Sequence, residues 1–234
     1  MKKKNILAVI PARGNSKGIR KKNLAILKNK PLIYYTINEA KKTNLITDLI
    51  VSTEDVKIAK VSNKYKCSTP FLRPKNLSKD DTKTFPVVLH ALKFMENQNK
   101  KKYDLILLLQ PTSPLRKKKD IEKSINILVK NYKRYDSLVS LVSVGAHHPF
   151  RMKVIKKNFV KNFIDQGFED MRPRQKLPKI FIRNGAIYLI KRNSFLKNKS
   201  LVGKKVYPYL MSDKNSINID DKIGLKLANT LLSK

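Results

Sequence analysis

A basic, glycine-containing loop follows the first apolar segment of this 234-residue chain. The loop, residues 12–23, reads ARGNSKGIRKKN and places arginine and lysine side chains around Gly14 and Gly18. Glycine lets the backbone approach a phosphate group closely, and neighbouring N–H groups can form a concave anion site. The loop matches neither GxxxxGK[ST] nor GxGxxG, so neither of those nucleotide fingerprints applies. These residue types predict a loop that binds a triphosphate, with an ordinary solvated loop as the alternative.

A second polar position stands at the end of another apolar segment. Gln110 directly follows residues 105–109, LILLL, which have the pattern of a buried strand. Ligands of α/β proteins bind at the carboxyl ends of the strands, so Gln110 is predicted to face a ligand. The alternative is an amide that only stabilises the turn containing Pro111 and Pro114.

The elements that would position these residues alternate between strand and helix patterns. Short apolar runs occur at residues 5–10, 48–52, 104–109 and 137–144. Amphipathic helical patterns cover residues 31–42, 56–65, 85–95 and 121–129. Such alternation is typical of βαβ units, in which helices cover both faces of a parallel sheet. We therefore expect a three-layer, Rossmann-like α/β fold with a mostly parallel sheet.

The pattern changes in the last third of the chain. Residues of about 146–190 read as extended chain and hairpin instead of βαβ units. We interpret them as a small β-containing insertion within a single domain that spans residues 1–234. Residues 203–209 and a last helix near 220–232 are expected to close the fold. The insertion would carry substrate contacts or a subunit interface.

The chain is strongly basic, with 52 Lys and Arg against 17 Asp and Glu and a formal net charge of +35. Such a charge raises the hypothesis of a nucleic-acid-binding module. The lysines are scattered over nearly every segment, which favours a coding bias without a selected binding face, and runs such as 116–119 are interpreted as solvated. The sequence contains no recognised nucleic-acid motif, so we expect no nucleic-acid partner. A phosphate-rich small substrate would also benefit from this field.

Cysteine and histidine contribute little chemistry to the prediction. Cys67 is the only cysteine, which excludes intrachain disulfides and multi-thiolate metal sites and favours a reducing cytoplasm. Its thiol is predicted to be buried and inert. His147 and His148 are adjacent and would point to opposite faces of a strand, so they are interpreted as structural. No segment approaches the roughly 18 apolar residues of a membrane span, and we expect a cytoplasmic protein without a membrane partner.

Several longer segments carry a resemblance to a known family. IPARGNSKGI followed by KKNL, and LLLQPTSPLR at residues 107–116, resemble motifs of the acylneuraminate cytidylyltransferases. FLRP at 71–74, HHPFRMK at 147–153, RPRQKLPKIFIRNGAIY at 172–188 and INIDDKIGLKLA at 217–228 resemble further segments, in the family's order. Several motifs in order over nearly the whole chain are more specific than one glycine loop. The resemblance implies a nucleotidyltransferase fold and a homodimer.

The resemblance also implies a reaction. CMP would pass from CTP to the anomeric hydroxyl of a nine-carbon 2-keto acid sugar, such as sialic, legionaminic or pseudaminic acid, with release of pyrophosphate. The hydroxyl would attack the α-phosphorus in line, and positioned cations and Mg²⁺ would stabilise the developing charge. The alternatives are a Kdo or a hexose-1-phosphate nucleotidyltransferase, although the GNSKGI and RNGAIY segments favour the acylneuraminate branch. The sugar itself depends on a few pocket contacts that the motifs do not fix.

The family's site residues carry over onto matching positions of this sequence. The implied catalytic residues are Arg13, Lys22 and Asp220. The implied nucleotide-binding residues are Ala12, Arg13, Asn15, Ser16, Lys17, Lys22, Asn23, Arg73 and Gln110. The implied sugar-binding residues are Gln110, Arg151, Arg174 and Tyr188. Arginine suits these roles because its planar guanidinium binds a phosphate or carboxylate bidentately; the alternatives are loop capping by Ser16 and Asn23 and an ordinary half-buried Tyr188.

One position departs from the family at its metal site. The family's closing motif presents two aspartates one residue apart to hold Mg²⁺ against the triphosphate, whereas this chain has Asn218 and Asp220. An amide oxygen can bind Mg²⁺ but lacks the carboxylate charge, so we expect weaker metal binding, with Asp220 as the principal ligand. The alternative is partial compensation by Asp221, although Asp221 points to the other side of the strand if the strand continues that far.

Overall fold

The computed structural model describes residues 3–16 and 18–233. Along these residues the strands are β1 (Ile6–Pro11), β2 (Ile26–Leu27), β3 (Lys30–Pro31), β4 (Asp48–Ser52), β5 (Leu105–Leu108), β6 (Ser137–Ser143), β7 (Lys153–Lys156), β8 (Phe159–Asn162), β9 (Phe181–Lys191) and β10 (Val206–Leu210). The α-helices are α1 (Leu32–Lys41), α2 (Val56–Lys64), α3 (Thr84–Asn99), α4 (Lys118–Lys130), α5 (Arg192–Asn198) and α6 (Lys222–Leu231).

The central sheet has six strands in the order β10-β6-β9-β5-β1-β4. β1 pairs in parallel with both β4 and β5, and β10 pairs in parallel with β6. β9 runs antiparallel between β5 and β6. The predicted α/β fold with a mostly parallel sheet is therefore confirmed.

The alternating side chains of β1 explain why helices cover both faces of this sheet. Ile6, Ala8 and Ile10 pack into one buried cluster with residues of α1 and α4. Leu7 and Val9 point the other way, into a second cluster formed with α3 and α5. A strand that is buried on both faces reads as a continuous apolar run, as residues 6–10 do. The result is the expected three-layer arrangement.

The largest difference from the sequence prediction concerns β9. The predicted insertion at about 146–190 includes residues 181–190, which pair inside the central sheet. The strand's own alternation fits a hairpin equally well, because it does not reveal which distant strands are its partners. β7 and β8 do form a hairpin outside the central sheet. The part of the predicted insertion that lies outside the sheet therefore ends near residue 180.

Two minor predictions concern thiol and imidazole chemistry. The Cys67 thiol is free and buried as predicted, and burial raises its pKa to about 12, which agrees with an inert side chain. His148 is buried, its Nδ1 accepts the Phe150 N–H at 3.2 Å, and its Nε2 lies 3.1 Å from the Pro178 carbonyl oxygen. This histidine has local structural partners.

Among the described residues, no helix is long and apolar enough to cross a membrane.

Candidate active site

A cleft of about 360 Å³ lies where β1, β4 and β5 end. It brings together eight of the predicted site residues, which are Arg13, Ser16, Lys22, Asn23, Arg73, Gln110, Asn218 and Asp220. Parallel strands present their carboxyl ends at one edge of a sheet, so positions about 200 residues apart in sequence meet there. Of the described residues that line the cleft, four are cationic and two are acidic. The cleft can therefore accept a strongly anionic ligand.

Two further predicted residues of the same loop, Ala12 and Asn15, do not line the cleft. Ala12 is fully buried, and its N–H donates to the Ser52 carbonyl oxygen at 2.9 Å, which fixes the loop to the end of β4. Asn15 is exposed. Lys17 lies outside the described residues. Their predicted nucleotide contacts stay predictions.

Close packing explains the two glycines of the loop. A Cβ atom at Gly14 would lie 2.6 Å from Asp55 Oδ2, and a Cβ atom at Gly18 would lie 2.1 Å from the Asp220 carbonyl oxygen. Any larger residue would push the loop away from these neighbours. Asn23 adds a tie, because its Nδ2 donates to the Arg13 carbonyl oxygen at 2.9 Å. The loop is therefore held in place over the cleft.

Arg13 and Lys22, the loop cations that line the cleft among the described residues, each have an acidic partner. Arg13 Nη1 lies 2.9 Å from Asp80 Oδ1 and donates to the Lys79 carbonyl oxygen at 3.4 Å. Lys22 Nζ lies 3.2 Å from Asp220 Oδ1, with the lysine side chain 15% exposed and the aspartate side chain 72% exposed. Each contact holds a cation at the cleft wall, where a phosphate oxygen could share or replace the carboxylate.

Arg73 is held from two sides. Its side chain is 3% exposed, Nε donates to Ser78 Oγ at 3.1 Å, and Nη2 donates to Glu54 Oε2 at 2.7 Å. Glu54 also accepts the Gly14 N–H through Oε1 at 2.7 Å. Sequence reasoning missed Glu54, although its place two residues after the end of β4 was a signal, since loops after parallel strands carry ligand sites.

The backbone of Gln110 is held in place by a hydrogen bond from the Arg116 side chain. The Arg116 side chain is fully buried; Nη1 donates to the carbonyl oxygens of Gln110 at 3.3 Å and Ala186 at 2.7 Å, and Nη2 donates to Thr36 Oγ1 at 2.7 Å. Burial lowers the Arg116 pKa to about 9. The interpretation of Arg116 as the start of a solvated run, one of two that the sequence leaves open, is therefore wrong. Backbone carbonyl groups and a hydroxyl oxygen inside the protein accept from the buried guanidinium, as buried polar groups require.

A second cavity of about 240 Å³ adjoins the cleft and shares Thr84 and Gln110 with it. Its other lining residues are Phe85, Leu108, Arg183, Tyr188, Lys199, Ser200, Leu201 and Val202. Burial raises the pKa of the Tyr188 phenol, and the nearby charge of Arg183 opposes that rise. The cavity thus combines two cations, a tyrosine and an amide. Sequence reasoning found Tyr188 and Gln110 but missed Arg183 and Lys199.

Two predicted sugar-site arginines lie elsewhere. Arg151 and Arg174 are exposed and line neither cavity. Arg151 Nη2 donates to the Arg172 carbonyl oxygen at 2.6 Å, within the segment between β6 and β9. The structure does not bring these two side chains to the cleft of their own chain.

The predicted metal ligands meet at the cleft edge. Asn218 Nδ2 donates to Asp220 Oδ2. In the described part of the chain, no group of three or more His, Cys, Asp or Glu side chains is arranged to hold a metal ion. One carboxylate beside a neutral amide fits an ion that takes most of its oxygen ligands from a bound triphosphate and water, as Mg²⁺ commonly does.

The fold and the basic cleft together define an α/β protein with a site suited to an anionic ligand. A solved structure of a CMP:2-keto-3-deoxy-manno-octonic acid synthetase in complex with CTP is similar over 98% of both chains, with a TM-score of 0.69 and 16% identity. At that identity the likeness concerns the fold.

The chain belongs to the cytidylyltransferase family, whose sequence profile matches residues 7–218. The CMP-N,N'-diacetyllegionaminic acid synthase of Legionella pneumophila is 32% identical over 97% of this chain and 96% of that protein. The pseudaminic acid cytidylyltransferase of Campylobacter jejuni is 35% identical over 78% of this chain and 76% of that protein. The predicted family and the predicted nucleotidyltransferase activity are confirmed.

Proposed function

We propose that this enzyme transfers CMP from CTP to the anomeric hydroxyl of a nine-carbon 2-keto acid sugar of the sialic, legionaminic or pseudaminic type and releases pyrophosphate. The observation that carries the proposal is a pair of adjoining cavities that share Thr84 and Gln110. One has the cations that a triphosphate needs, and the other has cations for an acidic sugar. The family and the activities named for its relatives support the same reaction.

CTP occupies the cleft in this proposal. Arg13 and Lys22 contact the triphosphate and stabilise the charge that develops on the phosphoryl oxygens and on the leaving pyrophosphate. Arg73, held rigidly by its two partners, donates to an acceptor of the cytidine. Ser16 and Asn23 complete the nucleotide contacts, and the loop position of Ala12, Asn15 and Lys17 supports the same role for them.

The acidic sugar occupies the second cavity. Arg183 and Lys199 lie where a carboxylate can be paired, and a guanidinium suits it because two parallel hydrogen bonds form. Tyr188 offers a ring face and a hydroxyl to the sugar. Gln110 stands at the junction of the two cavities, so it orients the attacking anomeric hydroxyl toward the α-phosphorus. Fixing both reactants in one geometry supplies much of the rate enhancement for such a transfer.

We also propose a homodimer that works in the cytoplasm. Arg151 and Arg174 reach neither cavity of their own chain, which supports a role for them in the cleft of a second copy. Exposed apolar side chains of the β7–β8 hairpin, including Ile155 and Val160, support that hairpin as the interface. The free thiol of Cys67 supports a reducing compartment.

Mg²⁺ is the proposed cofactor. Asp220 would be its principal protein ligand and Asn218 a second, through its amide oxygen. When bound, the ion would offset negative charge on the phosphoryl oxygens. Lys22, 3.2 Å from the same carboxylate, keeps a fixed positive charge at this point of the cleft.

Pyrophosphate release tests the proposal directly. The protein is incubated with CTP and Mg²⁺ and, separately, with sialic, legionaminic or pseudaminic acid, with Kdo, or with a hexose 1-phosphate. Release with at least one nine-carbon acid should exceed release with the other sugars about 100-fold, because a site built for a substrate's polar groups rejects analogues that leave its own groups unpaired.

Two controls accompany this panel. UTP in place of CTP tests the base, and mass spectrometry of the product tests whether CMP is joined to the sugar. Pyrophosphate release with Kdo alone or with hexose 1-phosphates alone would contradict the proposed substrate class. So would a failure to release pyrophosphate with any of the sugars.

A further inference from the structure

Glu54 connects the two parts of the cleft that carry its cations. It stands in the loop after β4, and its side chain is 19% exposed. Oε1 accepts the Gly14 N–H at 2.7 Å, next to Arg13 in the loop after β1. Oε2 accepts from Arg73 Nη2 at 2.7 Å. Glu54 itself does not line the cleft.

From this geometry we infer that Glu54 is a positioning residue for the nucleotide, which sets the loop carrying Arg13 and the guanidinium of Arg73 at one fixed separation. The inference rests on the proposed use of the cleft for CTP. Glu54 acts through other residues, because both of its oxygens already have donors within the protein.

The hydrogen bonds of Arg73 show what Glu54 leaves for a ligand. A guanidinium has five N–H donors in a rigid plane. Ser78 takes Nε and Glu54 takes one side of Nη2. The recorded hydrogen bonds of the side chain within residues 3–16 and 18–233 use Nε and Nη2 and leave Nη1 open, and Arg73 lines the cleft. Protein acceptors therefore hold Nε and Nη2 of the plane, and Nη1 is available to an acceptor of the nucleotide.

The neighbouring carboxylate cannot take over this role. Asp55 Oδ1 caps α2 by accepting the N–H groups of Lys57 at 2.7 Å and Ile58 at 3.2 Å. Asp55 Oδ2 is the atom against which Gly14 packs. Asp55 therefore caps the helix, whereas Glu54 joins the Gly14 N–H to the Arg73 guanidinium.

The effect of neutralising Glu54 separates positioning from simple electrostatics. A carboxylate near a triphosphate repels it, so removal of the charge alone would strengthen CTP binding. Loss of the tie between Gly14 and Arg73 would weaken CTP binding. The two effects have opposite signs, and Glu54→Gln keeps the size of the side chain while it removes the ion pair.

Glu96 supplies a matched control. It accepts the Tyr103 N–H at 3.1 Å and pairs with Arg192 at 2.7 and 2.8 Å, so it also joins a backbone N–H to a guanidinium. Its side chain is 13% exposed, and neither it nor Arg192 lines the cleft. Glu96→Gln therefore makes the same change of charge and of bonding away from the nucleotide.

The test measures KM for CTP, KM for the sugar, kcat and Tm for the three full-length proteins. Glu54→Gln should raise the KM for CTP about tenfold, the effect of losing one charge-assisted hydrogen bond. The KM for the sugar should stay within about twofold, since the sugar cavity keeps its contacts. Glu96→Gln should lower Tm comparably and leave the KM for CTP unchanged. A KM for CTP in Glu54→Gln at or below the wild-type KM overturns the inference. An equal rise of the KM for CTP in Glu96→Gln also overturns it.

Glu54→Asp gives a second reading that keeps the charge. It is one methylene shorter and cannot reach both Gly14 and Arg73, so it should also raise the KM for CTP. A wild-type KM for CTP in this variant overturns the inference.

Calorimetry with CTP and the wild-type protein separates the two levels of the proposal. Wild-type protein that does not bind CTP contradicts the proposed function, whereas wild-type and Glu54→Gln proteins that bind CTP equally contradict only the role of Glu54.

Discussion

The amide of Asn218 faces the carboxylate that is proposed to hold the metal ion. Asn218 Nδ2 donates to one oxygen of Asp220, and Lys22 Nζ lies 3.2 Å from the other. Both oxygens therefore have donors, and a cation that binds Asp220 must displace one of them. The amide brings no negative charge of its own, so the cation gains less here than between two carboxylates.

We therefore expect Asn218→Asp to lower the Mg²⁺ concentration that gives half the maximal rate. A second carboxylate adds a Coulomb attraction of at least about 1 kcal/mol in a hydrated site, which corresponds to a decrease of at least about fivefold. The measurement is the rate of pyrophosphate release against Mg²⁺ concentration at saturating CTP and sugar.

Asn215 provides the control for this substitution. Its Nδ2 donates to Asp120 Oδ2 at 3.3 Å, and it does not line the cleft. Asn215→Asp makes the same change beside another carboxylate and should leave the Mg²⁺ dependence as in the wild type. An equal decrease in both variants would point to the overall charge of the protein instead of a ligand at position 218.

Among the elements, β9 decides the shape of the junction between the two cavities. Gly185, in the middle of this strand, has a φ of 76°, a conformation that side chains disfavour. A Cβ atom there would lie 2.6 Å from Gln110 Oε1. The pairing of β6 with β9 is irregular between Val139 and Leu141, which is consistent with a local bulge opposite this segment.

Gly185→Ala should therefore lower both stability and rate. The left-handed conformation costs an alanine roughly 1–2 kcal/mol, and the added methyl group displaces the Gln110 side chain. We expect kcat to fall at least about tenfold, because a small misplacement of a positioning group costs one to two orders of magnitude. Steady-state kinetics and thermal unfolding measure the two effects.

Gly145 separates the strain from the contact. Its φ is 59°, and an added Cβ atom would have nothing within 4 Å. Gly145→Ala should lose stability while it keeps kcat. A wild-type kcat in both variants would contradict the expectation that kcat depends on the position of the Gln110 side chain.

Local patterns explain which elements could be predicted. The strand over residues 6–10 and the loop after it are encoded by adjacent residues, so their place at a ligand-binding edge follows from sequence. The partners of β9 are chosen by packing against β5 and β6, and the strand's alternation contains no record of them. Arg116 looks like part of a solvated basic run, and its burial becomes intelligible only with the carbonyl group of Ala186 in view. The roles of Glu54 and Arg183 depend in the same way on long-range contacts.

In the molecule as a whole, charge and exposed apolar surface have different distributions. Lysine and arginine occur throughout the sequence, whereas large exposed apolar side chains are frequent in the hairpin and the loop after it. These side chains include Ile155, Phe159, Val160, Phe163, Phe168 and Met171. A concentration of this kind marks an interaction surface, while single exposed apolar residues need no explanation.

Disruption of this surface should convert a dimer into monomers. Wild-type protein is expected to sediment at twice the chain mass of 27.0 kDa. In a symmetric dimer each substitution occurs twice, and burial of one isoleucine contributes about 1.5–3 kcal/mol. Ile155→Asp should therefore weaken association by at least about tenfold. Sedimentation velocity over a range of protein concentrations measures the shift.

Ile223 on α6 is the matched control, because it is 78% exposed and Ile155 is 76% exposed. Ile223→Asp changes the same side chain and the same charge on another face, so it should remain a dimer.

Activity then tests whether the second copy completes the sugar site through Arg151 and Arg174. Monomeric Ile155→Asp should bind CTP normally, since the cleft lies within one chain, but show a raised KM for the sugar that falls as protein concentration restores the dimer. A monomeric wild-type protein with full activity would contradict both the interface and the shared site.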